Sequence, residues 1–91
     1  MSTDSQRYSK NRLVKWGLSF IGRVPEAVLR DDLGYVDFGE PELAFECVVA
    51  HIGECEAPVS ITEYREAVDI TQGWPEIEAH LEILRSLIQA Q

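Results

Sequence analysis

The chain has 91 residues, 45% of them apolar and 26% charged, which is a length for one domain and a composition too apolar for disorder. A domain of this size buries only about 60% of its chain surface, so its core is thin and leaves little room for an enclosed catalytic pocket. Eight Lys and Arg stand against sixteen Asp and Glu, a net charge of −8, which disfavours nucleic-acid backbones and favours a cationic partner.

The predicted elements are helices, divided by Pro and Gly. After a frayed start over residues 1–6, Tyr8, Leu13, Val14, Trp16, Leu18, Phe20 and Ile21 form the broad apolar surface of a first helix, with Gly17 at mid-face where a neighbouring helix can approach closely. The opening stretch is basic, but Lys15, Gly17 and Arg23 interrupt its apolar residues, so it reads as neither a signal peptide nor a membrane span. Pro25 suits the first position of a second helix that runs to about Phe38, with Val28, Leu29, Leu33 and Val36 on one side and Gly39 as its stop.

Pro41 opens a third helix, roughly Glu40 to Cys55, in which Ala44, Phe45, Val48 and Ile52 share an arc opposite Glu42, Glu46 and Glu54. The loop from Glu56 to Val59 ends it. Ser60-Ile61-Thr62-Glu63 has capping-box spacing and starts a fourth helix carrying Ile61, Tyr64, Ala67, Val68 and Ile70. Gly73-Trp74-Pro75 breaks the chain again before a fifth helix, Pro75 to about Ala90, with Ile77, Leu81, Leu84 and Ile88 inward and Glu78, Glu82 and Arg85 outward. With no alternating strand pattern, the expectation is an all-α fold: a compact bundle of four or five short helices in a single domain, residues 1–91.

Motifs for chemistry are absent: the chain has no Gly-rich phosphate loop, GxSxG, HExxH or CxxC. Cys47, His51 and Cys55 recur every four residues and offer three metal ligands, but they fall on or beside the apolar arc, where free Cys behaves as a small hydrophobe; the reading is core packing and no metal. Eight residues of helix separate the two thiols by about 12 Å, too far for a disulfide, which suits a reducing compartment. His80 reads as a partly buried histidine holding a backbone carbonyl, and Trp16 and Trp74 as core or hinge packing. No nucleophile and base can be assembled, so the expectation is no enzyme and no cofactor.

Charge is unevenly placed. Residues 1–23 carry five bases against Asp4, a net +4, while the rest carries three bases against fifteen acids, a net −12. Ten of those acids lie between Glu26 and Glu63, with Arg30 as the only base among them. A solvated helix face usually mixes signs, whereas here only Glu26 and Arg30 form an i,i+4 pair. Asp31, Asp37, Glu40, Glu42, Glu46, Glu54 and Glu56 are therefore the expected partner-binding residues, on one anionic surface over the second and third helices.

Three segments carry a resemblance: Gly22-Arg23-Val24-Pro25-Glu26, Gly39-Glu40-Pro41-Glu42-Leu43-Ala44-Phe45-Glu46, and Ala57-Pro58-Val59-Ser60-Ile61-Thr62-Glu63-Tyr64. Over roughly residues 18–70 the chain resembles the MafI-like family of small bacterial immunity proteins, departing from its pattern at Gly53-Glu54-Cys55-Glu56, where aromatic and acidic residues are expected. The resemblance implies a cytoplasmic, non-enzymatic protein of interbacterial competition and contact-dependent inhibition, which binds and neutralises a cognate toxin C-terminal domain, often a nuclease. A nuclease needs a basic cleft, which an acidic helical surface complements. The expected protein is a monomer that binds neither nucleic acid nor membrane. The alternatives are a regulatory or scaffold module whose basic first helix touches RNA or an acidic partner, and an acidic DNA mimic.

Overall fold

Residues 2–89 are described by a computed structural model, residues 2–9 by their backbone alone. Five α-helices follow one another: α1 (Ser2–Leu18), α2 (Glu26–Leu33), α3 (Pro41–Glu54), α4 (Ile61–Ile70) and α5 (Glu78–Ser86), with a 3-10 turn, Gly34–Phe38, between α2 and α3. The fold is the all-α bundle that helical periodicity implies. Among the described residues the only β pairing is two isolated bridges, Ile21 with Val24 and Val59 with Ile88.

The ends of the helices show where local chemistry sets the fold. The Ser60 hydroxyl accepts from the Glu63 N–H while the Glu63 carboxylate accepts from the Ser60 N–H, closing the capping box that starts α4. Pro41 occupies the first turn of α3, where its missing N–H costs nothing. Pro25 stands one position earlier than expected, as the residue that caps α2.

Two segments depart from simple periodicity. Past Leu33 the second helix tightens to 3-10 geometry and stops at Gly39, whose φ of 76° reverses the chain into α3. The fifth helix is shorter than Pro75 to Ala90: Glu76 takes a left-handed φ of 54°, so regular helix begins only at Glu78. At its far end the chain leaves the helix because Val59 and the segment Leu87–Gln89 exchange backbone hydrogen bonds of 3.1 and 3.3 Å. The backbone is helical from Ser2, where fraying to Gln6 is expected; Met1 and the Tyr8 side chain lie outside what is described.

The core is drawn from all five helices. Leu13, Trp16, Phe20, Leu29, Phe45, Val48, Ile52, Ala67 and Leu84 are buried in one cluster, as a thin single core requires. Its centre is aromatic: the Trp16 ring lies 5.1 Å from Phe20 and 5.3 Å from Phe45, and Trp74 meets Phe45 edge-on at 6.0 Å. Gly17 has the role its position implies, since a methyl group there would come within 2.9 Å of both Leu33 methyls. Ile61 and Val68 of α4, expected inward, are exposed. No helix among the described residues is long and apolar enough to cross a membrane.

Candidate protein-docking surface

Two arginines, Arg12 and Arg23, tie α1 and the turn after it to α4. Arg12 reaches from α1 to α4, its Nη2 lying 2.8 Å from Glu66 and 3.8 Å from Asp69. Arg23 donates from both Nη atoms to the two oxygens of Glu63, at 2.9 and 2.7 Å, and also to the Ser19 and Pro58 carbonyls. This two-pronged bond holds the Glu63 carboxyl below its usual range, and the same bond raises the Arg23 guanidinium. An open groove of 630 Å³ between α1 and α4 is lined by Arg12, Lys15, Trp16, Glu63 and Glu66 among others, and Arg12, Trp16, Glu63 and Glu66 are already engaged in bonds within the protein.

On α2 and α3 compensation is confined, among the described residues, to Arg30 with Glu26 and to His51 with Asp32 and Glu54. Among the described residues, Asp31, Asp37, Glu40, Glu42, Glu46 and Glu56 make no ion pair. All are exposed except Glu46, which is half-buried. Glu42 has a structural reason to be acidic, because it sits in the first turn of α3 beside the positive end of the helix dipole. The 3-10 turn, Glu40 and the start of α3 bring Asp37, Glu40, Glu42 and Glu46 to one end of that helix. Glu54 lies twelve residues beyond Glu42, about 18 Å along the axis. The expected single surface is therefore a run along α3, dense at its N-terminal end.

Glu54 and Glu56 have different neighbours. Glu54 stands 3.9 Å from Nε2 of His51. Glu56 is left-handed, with φ 49°, and closes α3 in a Schellman turn: its N–H reaches the Gly53 carbonyl and the Ala57 N–H reaches Ile52. Asp31 precedes Asp32, whose carboxylate touches His51, and so stands level with the C-terminal half of α3.

The Cys47, His51 and Cys55 series separates. His51 turns to Asp32, Cys47 is half-buried, and Cys55 is exposed at the helix end, contrary to a shared core position. Burial, then the nearby Asp32 and Glu46 charges, push the Cys47 thiol up, which reduces its thiolate fraction and its reactivity. Among the described residues no group of three or more His, Cys, Asp or Glu is placed to hold a metal ion. His80 does not hold a carbonyl through Nδ1, which is buried without a hydrogen-bond partner among the described residues.

Sequence reasoning missed two residues at the acidic end. Phe38 is 81% exposed and Tyr35 lies beside it in the 3-10 turn, also exposed. The signal was present, since Phe38 follows Leu29 by nine residues, about 180° around a helix from the core side. Comparison of the chain with protein-family models, curated proteins and solved structures finds no match.

Proposed function

We propose that this protein is a non-enzymatic binding protein that neutralises a basic partner, and specifically a cytoplasmic immunity protein of the MafI-like kind that covers the cleft of a nuclease toxin domain. The carrying observation is the partition of charge: Arg12 of α1 and Arg23 of the turn after it pair with carboxylates of α4, while Asp31, Asp37, Glu40, Glu42 and Glu46, over α2, the 3-10 turn and α3, make no ion pair among the described residues. Leaving like charges together costs stability through self-repulsion, and a cationic partner offsets that cost on binding. Opposite charge also raises the association rate, which matters when free toxin is lethal. Inhibition is then by occlusion.

A basic first helix used for RNA is less well supported, because Arg12 and Arg23 are engaged with carboxylates of α4. The test is co-expression with the toxin domain encoded beside this chain's gene. Restored growth and a stable complex are the expected result; toxicity unchanged by the protein, with no complex formed, overturns the reading.

A further inference from the structure

Phe38 stands apart from every other large apolar side chain described. At 81% exposure it leaves nearly its whole ring in water, whereas the other exposed large apolar residues, Ile21, Tyr35, Leu43, Ile61 and Val68, lie between 37% and 47%. Singly exposed apolar residues are ordinary, but a phenyl ring this bare gives up about 2 kcal/mol of available burial. The 3-10 geometry then decides its company. With three residues per turn, positions i and i+3 eclipse, so Tyr35 and Phe38 share one edge, Gly34 and Asp37 another, and Val36 points into the core.

The turn is held in place on both sides. Buried Val36 anchors it, the Gly39 N–H donates to the Val36 carbonyl at 3.1 Å, and the Glu40 N–H donates to Tyr35 at 3.0 Å. Gly39, left-handed at φ 76°, and Pro41 at the start of α3 fix the exit. Because the backbone that carries Tyr35 and Phe38 is already fixed, a partner that covers them orders little main chain.

We propose that Phe38, supported by Tyr35, is the anchor of the docking surface and inserts into an apolar socket that is rimmed by Arg or Lys on a protein partner. This deepens the immunity reading and rests on it. The rim chemistry follows from charge complementarity: Asp37, Glu40 and Glu42 are exposed, lie within four residues of Phe38 along the chain and make no ion pair among the described residues. A second copy of this chain is the wrong occupant, because pairing two such faces would set carboxylates against carboxylates on molecules each carrying −8. Interfaces concentrate affinity in a central aromatic and use surrounding charge for steering, so the two sets of residues have separate kinetic signatures.

The test is surface plasmon resonance against a panel of catalytically inactivated nuclease toxin domains, the one encoded beside this chain's gene included. Phe38→Ala is expected to weaken binding about 30-fold or more, mainly through faster dissociation. Asp37→Lys with Glu40→Lys is expected to slow association, most at low salt, while Ile61→Ala and the double reversal Glu78→Lys with Glu82→Lys change little. Circular dichroism melts check that Phe38→Ala keeps the fold, and Phe38→Leu, expected to recover part of the affinity, serves if it does not. Wild-type binding that Phe38→Ala and Phe38→Leu leave intact overturns the anchor and spares the immunity reading. Failure of the wild type to bind any domain overturns both. Dimerisation of the free protein that Phe38→Ala abolishes assigns the patch to a second copy and overturns the basic partner.

Discussion

The Asp32 carboxylate, only 6% exposed, accepts a 2.6 Å hydrogen bond from Nδ1 of His51 and so ties α2 to α3 behind the acidic face. An ionised carboxylate only accepts, which assigns the proton to Nδ1. The same charge is one of those that push the Cys47 thiol up. Position and reactivity on this side of α3 are therefore linked through one buried acid.

Removing either partner should have unequal effects. His51→Ala leaves a buried carboxylate without its donor and is expected to cost about 2 to 3 kcal/mol of unfolding free energy. Asp32→Asn keeps an acceptor for Nδ1 and should cost about 1 kcal/mol. It should also speed alkylation of Cys47 relative to Cys55, because a charge that disfavours the thiolate is gone. Urea melts and thiol labelling measure both; equal losses from the two variants would mean the pair contributes packing alone.

Acid should undo the Arg23–Glu63 junction. The Glu63 carboxyl lies below its ordinary range when folded, so its contribution is complete above the unfolded value of about 4.3 and is lost as pH falls through the folded value. Glu63→Gln is expected to lower stability at neutral pH by about 1 to 2 kcal/mol and to flatten the acid limb of a stability-against-pH curve. An acid limb as steep as that of the wild type would assign the transition to other carboxylates.

Relief of strain at the end of α3 should be measurable. Glu56 occupies a left-handed position, φ 49°, that favours glycine. Glu56→Gly is expected to raise stability by about 0.5 to 1 kcal/mol, read as a higher Tm. Because Glu56 lies at the opposite end of α3 from Phe38, the substitution should change partner association less than reversal at Asp37 and Glu40.

Much of this protein is local and therefore determined by sequence alone. Apolar spacing places Leu13, Trp16, Leu29, Phe45, Val48, Ile52 and Leu84 in the core, and Ser60 with Glu63, Gly39 and Pro41 mark helix ends through chemistry that acts within four residues. The acids of the candidate surface are legible in the same way, because a helix must turn charged residues outward when the opposite arc is apolar. Which acids are neutralised is another matter: Arg12 and Glu66 are 54 positions apart and Arg23 and Glu63 are 40 apart, and only helix packing brings them together. The same packing joins Asp32 to His51, draws Leu87–Gln89 out of helical form to pair with Val59, and leaves no neighbouring helix over Phe38. Periodicity specifies which face of a helix is apolar, but whether another element covers a given residue depends on the relative placement of helices, which is set by long-range burial and not by any local pattern.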